Sequence, residues 1–495
     1  MDGATFGLLQ ENHLYSLGAL GIVAVLIVTL ASSLRDPLSA VPGPWYAKWT
    51  DRVAAYHFLK GTKPSYIHGL HQKYGPIVRV GPREVYTMDL ADAKIIHSVK
   101  NTFSKAGFYR RLTPGVESVF NTTSNDLHRR MRRVLSAPIS ESGLQVYLPN
   151  IQDKVRLAIQ RMGEEHETRG VADIWEWWLF MTTDVIGELS FGKSFEMLES
   201  RKVNQYVEDL QNIGSAGALR SVFPTLLKYT MKLGLPIPAL KESMVRLQRM
   251  RGYATQSIHR YQTIVENDGP EASRTVFSKV YKAQGDESMT TKEVTDNAMT
   301  YITAGSDTTS NTLTYLVWAV CRHPEIKAEL VKELAMLPED FSYDDLKHLS
   351  YLNHVVNETL RRYAAVPAGL PREVPRGGST LSGHYIPAGY IVTTQAYSMH
   401  RNASVFPDPE KFDPSRWENA TPEMKTSFMP YGGGSRTCIG LHLANIELLL
   451  GAARFFRAFP NATVSTLEGM SDEDMRPQLY FLAGPSGKRC LMNLK

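Results

Sequence analysis

The sequence predicts a mainly α-helical protein with small β-sheets and one amino-terminal transmembrane helix. Three observations predict it. Long stretches mix apolar and charged residues at helical spacing, among them 151–162, 203–214, 240–266 and 325–337. Strand-like pieces are few and short: 77–80 with 85–88, and 389–394. The stretch 14–34, LYSLGALGIVAVLIVTLASSL, carries no charge and has the ~20 largely apolar residues that a bilayer-spanning helix needs.

At the amino end, the residues before that stretch hold Asp2 and Glu11, and the first base, Arg35, follows it. A cleaved signal peptide has a basic start and a shorter apolar run, so an uncleaved anchor is expected. Charge asymmetry then places residues 1–13 on the lumenal side and the rest of the chain in the cytosol. Residues 35–45 end in Val41-Pro-Gly-Pro-Trp45, which cannot continue a helix and reads as a stiff hinge. Trp45 and Trp49 suit either the headgroup level or the core. After residue 45 no Gly-, Ser- or Pro-rich linker and no repeat divides the chain, so residues 46–495 read as one body.

Composition narrows the chemistry. The 495 residues include 55 basic and 50 acidic side chains, a net charge of +5, too small and diffuse to imply a nucleic-acid partner. Hydrophobic residues at 43% and charged residues at 21% exclude a disordered or fibrous chain. Three cysteines, Cys321, Cys438 and Cys490, exclude a disulfide framework and any multi-cysteine cluster.

Thr290 and Glu293 have capping-box spacing, and His323-Pro324 closes a helix of about 30 residues, roughly 45 Å long. Its middle, Ala304-Gly-Ser-Asp-Thr-Thr309, is poor helix material, so a distortion that opens a groove is expected there. Farther on, Glu358 and Arg361 share a helical face. Next come the proline-punctuated stretch Val366-Pro-Ala-Gly-Leu-Pro-Arg372 and the turn Phe412-Asp-Pro-Ser-Arg-Trp417. The most informative segment is Phe428-Met-Pro-Tyr-Gly-Gly-Gly-Ser-Arg-Thr-Cys438-Ile-Gly440. Three consecutive glycines permit positive φ and close approach of backbone to a flat ligand. A helical stretch, 441–456, follows, and its amino end favours a thiolate at Cys438. On these residues alone the cysteine suits a nucleophile, a redox thiol or a single axial metal ligand. No Lys-Ser/Thr pair follows the glycines, which argues against a P-loop.

Taken in order, the anchor, the hinge, the 304–309 segment, Glu358-Thr-Leu-Arg361, the 412–417 turn and the cysteine loop resemble a membrane-anchored cytochrome P450 over essentially the whole chain. The stretches Leu70-His-Gln-Lys-Tyr-Gly-Pro-Ile-Val-Arg-Val-Gly-Pro82 and Leu370-Pro-Arg-Glu-Val-Pro375 resemble fungal secondary-metabolism members, such as the averantin and isotrichodermin hydroxylases. One departure is Tyr431, where the family loop usually opens with phenylalanine.

The resemblance implies the P450 fold over 46–495 and an endoplasmic-reticulum placement. It implies haem b on Cys438, with O2 as co-substrate. His128, Arg132, Arg372 and Arg436 match partners of the haem carboxylates, and Gly440 belongs to the cofactor loop. Ala304 and Gly305 match the oxygen groove, with Thr308 and Asp307 handling protons. Glu358, Arg361 and Arg416 match a buried charge network that is structural. Arg129, Arg130 and Arg133 match a solvated, donor-docking face. Pocket walls match Phe108, Phe120, Tyr301, Val366, Leu370 and Leu482, with Tyr109 and Phe481 beside them. These are aromatic and aliphatic, so the implied substrate is hydrophobic. The chain has no dinucleotide fingerprint. Electrons are therefore expected from NADPH through a separate cytochrome P450 reductase, with cytochrome b5 a second candidate donor. The implied reaction is insertion of one oxygen atom, by hydroxylation or epoxidation, in fungal secondary metabolism. Desaturation, ring rearrangement, oxidative coupling and a non-oxygenating isomerase or dehydratase are the alternatives, ahead of a non-catalytic haem-binding protein.

Overall fold

A computed structural model describes residues 20–21, 36–100, 103–202, 205–268, 275–278, 280 and 288–495. The membrane anchor is the first expectation to be corrected. Among the described residues no helix is long and apolar enough to cross a membrane. Of the expected 14–34 span only Leu20 and Gly21 are described; the remainder, with the expected lumenal start 1–13, lies outside the described residues. An uncharged run of sufficient length permits a span without specifying one. The transmembrane helix, the membrane-anchored type, the membrane as a partner and the single-pass endoplasmic-reticulum placement are accordingly withdrawn. Trp45 and Trp49, whose rings meet edge to face, are exposed rather than core.

What is described is mainly helical with small sheets. The long helix Thr291–Arg322 begins with the expected capping box: Thr290 Oγ1 accepts from the Glu293 N–H, and the Glu293 carboxylate accepts from the Thr290 N–H. It packs most extensively on helix Ile174–Phe191, which is buried on nearly every face. Helices Pro238–Asp268 and Leu441–Ala458 flank the pair.

The expected mid-helix distortion does not occur; the helix is continuous from 291 to 322. Its polar middle bonds back onto its own preceding turn. Ser306 donates to the Ile302 carbonyl, Thr308 to that of Ala304, and Thr312 to that of Thr308, at 2.7–2.8 Å. From the neighbouring helix Thr182 donates to the Ser306 carbonyl at 2.7 Å. Gly305 serves this packing, since a Cβ there would lie 2.8 Å from Ile186 Cγ1. The helix thus stays unbroken here, and Gly305 admits the close approach of Ile186.

The five-stranded sheet runs Ile77–Gly81, Glu84–Thr87, Ile391–Gln395, Gly369–Glu373, Ser104–Lys105. Its second and third strands are parallel and its other pairs antiparallel. At the last edge the register sets Lys105 opposite Arg372. The expected helix 203–214 is divided: Gln205–Gln211 and Ile213–Val222 meet at Asn212, whose backbone leaves helical geometry.

Candidate active site

One internal cavity of about 340 Å³ draws on most of these elements. Cys438, Ile439 and Gly440 line it, together with Ala304, Gly305 and Thr308 of the long helix. Cys438 is exposed, and its surroundings are this cavity. Its backbone N–H donates to the Tyr431 carbonyl at 2.9 Å, which fixes the loop. Tyr431 keeps its ring beside the cysteine and donates its hydroxyl to Asn445 at 2.8 Å.

Burial raises the Cys438 thiol pKa, opposed by the Gly440 N–H and by the charges of Arg132 and Lys105. The helix-end effect expected to favour a free thiolate is thus outweighed by desolvation. A sulfur that opens into this cavity beside Arg132 and Lys105 suits a metal ligand, since a bound cation would favour the thiolate.

The positive φ expected of the glycines is found at Gly432 and Gly434. Gly432 lines the cavity in a left-handed conformation. Gly434, also left-handed, packs so closely that a Cβ would fall 1.8 Å from the His97 carbonyl oxygen. Gly433, where a Cβ would lie 3.3 Å from His97 Cβ, and Gly434 therefore press the loop against the end of helix Leu90–Ile96, where His97 shares a 2.7 Å hydrogen bond with Thr394.

Basic groups converge on the same cavity. Helix Asn125–Ser136, capped by Ser124, presents His128 and Arg132 one turn apart, and Arg132 donates to the Thr437 carbonyl at 2.6 Å. Arg372 donates to the Tyr109 hydroxyl at 3.0 Å, and Arg436 to the Thr122 carbonyl at 3.1 Å and Asn125 Oδ1 at 3.0 Å. Lys105, which sequence reasoning missed, is buried among them, bonded to the Phe120 carbonyl and set over the rings of Tyr109 and Phe120. Its only sequence signal is a lysine in the otherwise uncharged run Thr102-Phe-Ser-Lys-Ala-Gly-Phe108.

Desolvation first, then the neighbouring positive charges, lowers Lys105 well below its ordinary range, His128 to about 3 and Arg436 to about 10. No ion pair to a carboxylate relieves these groups among the described residues. Such an assembly is costly unless an anion enters. A ligand bearing two carboxylates and a metal for the thiol fits the residues present, and haem is such a group.

On the other side of the long helix, Asp307 does not line the cavity. It accepts from Asn311 Nδ2 at 3.1 Å, and burial raises its carboxyl to about 7, against the opposing pulls of Asn311 and Lys488. Glu447, also missed in the sequence, does line the cavity. Burial holds its carboxyl well above the ordinary range despite a hydrogen bond with Thr309, and Oε1 has no partner among the described residues. Its signal is a lone acid within Ile446-Glu-Leu-Leu-Leu450.

Phe120, Tyr301, Val366, Leu370 and Leu482 line the cavity, with Tyr109 and Phe481. Phe108 does not; it packs in a separate cluster with Phe58, Leu112 and Ala218. Its position at the amino end of the short helix Phe108–Leu112 turns the ring toward that cluster. Arg130 is also not a free docking charge, since it pairs with Glu293 and donates to the Ser288 carbonyl.

Away from the cavity, Glu358 and Arg361 form a fully buried two-point pair at 2.8–2.9 Å. Arg416 and Trp417 Nε1 each complete the same carboxylate at 3.0 Å.

The cytochrome P450 family profile matches residues 47–489. Cytochrome P450 monooxygenase tazI of Aspergillus terreus is 45% identical over 479 residues, covering 96% of this chain and 98% of that protein. Cytochrome P450 monooxygenase orf2 of Aspergillus niger is 40% identical, covering 95% and 96%. Tryprostatin B 6-hydroxylase of Aspergillus fumigatus is 30% identical, covering 89% and 77%. This chain, matched over residues 47–489 by that profile and with the Cys438 thiol opening into a cationic cavity, belongs to the cytochrome P450 family, the haem-thiolate monooxygenases that insert oxygen into small molecules, here in fungal secondary metabolism.

Proposed function

We propose that Cys438 Sγ ligates the haem iron and that Lys105, His128, Arg132, Arg372 and Arg436 hold the haem carboxylates. The observation that carries this reading is the set of buried basic side chains around one thiol with no carboxylate paired to them. When bound, haem supplies oxygen activation and insertion into the substrate, chemistry that no side chain can perform.

The chain contributes position and protons. Thr308 lines the cavity and its Oγ1–H donates a hydrogen bond to the Ala304 carbonyl, which leaves its lone pairs free to accept a hydrogen bond from the cavity side. Asp307, with a carboxyl near 7, gains and loses a proton at neutral pH and stands one residue behind Thr308. Glu447 lines the cavity, and burial raises its carboxyl pKa, a second group suited to hold a proton. Glu358, Arg361 and Arg416 tie helix Ser350–Arg362 to the 413–417 turn and touch no reacting atom. Residues 46–495 act as one haem domain that draws electrons from NADPH through a separate reductase, with cytochrome b5 a second candidate. The aromatic and aliphatic wall suits a hydrophobic substrate.

The test is the reduced, carbon-monoxide-bound spectrum of the purified chain. Thiolate ligation gives a strongly red-shifted Soret band that Cys438→Ala abolishes. Persistence of the band in Cys438→Ala would refute the assignment. In Thr308→Ala, NADPH consumption should continue with little product; unchanged coupling would remove Thr308 from the proton path.

A further inference from the structure

Arg220 is a second buried cation on the cavity, separate from the group around Cys438. It lies on helix Ile213–Val222, is 2% exposed, and lines the cavity with Leu112, Gly217, Leu247 and Met250. Nε donates to the Leu112 carbonyl and Nη1 to the Ser243 carbonyl, both at 2.7 Å. These two bonds fix the plane of the guanidinium. Among the described residues Nη2 has no acceptor, and no carboxylate faces the group.

One turn earlier, Gly217 packs beside the guanidinium; a Cβ there would lie 3.8 Å from Nη2, an ordinary contact, and 3.3 Å from Leu112 Cδ2. Desolvation alone lowers Arg220 to about 10. The charges that perturb Lys105, His128 and Arg436 do not include Arg220, so haem carboxylates held by that group leave Arg220 unsatisfied. A clamp between two carbonyls could be made by a neutral donor. A buried charge with an open pair of N–H donors calls for an anionic acceptor.

We propose that Arg220 is a specificity-determining residue that binds an anionic oxygen of the substrate, a carboxylate or an ionised phenol or enol, through Nη2. The substrate is then an apolar or aromatic body with one acidic oxygen, oriented by that oxygen on Arg220. This rests on the haem-thiolate reading above for the position of the reacting carbon.

The test is titration of the haem-loaded chain with 2-naphthoic acid, methyl 2-naphthoate and 2-naphthol, read as displacement of the haem spin-state spectrum. The wild-type chain should bind the acid at least tenfold more tightly than the ester. 2-Naphthol gaining affinity as the pH is raised toward its ionisation marks a phenolate-type acceptor, and its failing to do so marks a carboxylate. Arg220→Met should lose the tenfold preference and bind the ester within twofold of wild type, while Arg220→Lys keeps part of the preference. Equal affinity for acid and ester, no response to the acid, or an equal loss for both in Arg220→Met would overturn the proposal and leave Arg220 a structural clamp. The carbon-monoxide spectrum of each variant separates the two readings. An intact thiolate band without acid preference refutes only the role of Arg220, whereas a missing band in the wild-type chain refutes the haem assignment.

Discussion

Asp307 shows how one carboxyl is set apart by its surroundings. Burial lifts it from 3.8 to about 7, although Asn311 donates to it. The folded chain therefore keeps this proton between about pH 4 and pH 7, where the unfolded chain has released it. The folded state binds more protons in that window, so its stability falls as pH rises through it. Asp307→Asn keeps the shape and removes the ionisation. Its melting temperature should match wild type near pH 4, and the variant should be the more stable of the two at pH 8. An equal offset at both pH values would show that the carboxyl carries no such burden. Proton delivery should suffer in the same variant, which separates the group's value in function from its cost in folding.

Helix packing sets the spacing of the two central helices at Gly305. Gly305 lets helix Thr291–Arg322 approach helix Ile174–Phe191 until Ile186 fills the position a Cβ would take. Gly305→Ala should destabilise the chain by about 1–3 kcal/mol through overpacking. The double variant Gly305→Ala with Ile186→Ala should cost less than the sum of the singles by on the order of 1 kcal/mol, measured by chemical unfolding. Strict additivity would mean that the two residues do not share this space. The capping box at Thr290 was readable because its partners are three residues apart. Helix Ile174–Phe191 was not marked, because burial on nearly every face erases the amphipathic stripe. The polar segment 304–309 misled in the opposite direction. Its side chains destabilise an isolated helix, but here they find carbonyls one turn back, and Thr182 reaches the chain from the neighbouring helix. Local propensity names the weak place; tertiary contacts decide whether it breaks.

Across the whole molecule the governing feature is charge brought inside. Cys438, Arg436 and Arg372 stood out in motifs of short range, whereas Lys105 joined them only when strand pairing set it opposite Arg372. Like charges facing each other across a strand pair are unfavourable, and burial makes them more so. An anion among these cations should therefore stabilise the arrangement, and the sign of the effect can be tested by changing the ligand's charge. With haem, Lys105→Met should lower the thermal midpoint and hasten haem loss to excess apomyoglobin, because it removes a charged hydrogen bond worth about 1.5–3 kcal/mol. With haem dimethyl ester, whose carboxylates are masked, the order should reverse. The wild-type chain then keeps a buried Lys105 with no anion beside it, and Lys105→Met becomes the more stable of the two. Thermal midpoints of both chains with both porphyrins give the answer. A variant less stable by the same margin with either porphyrin would mean that Lys105 supports the fold through the Phe120 carbonyl alone, and that the cations do not act as a counter-charge to the cofactor.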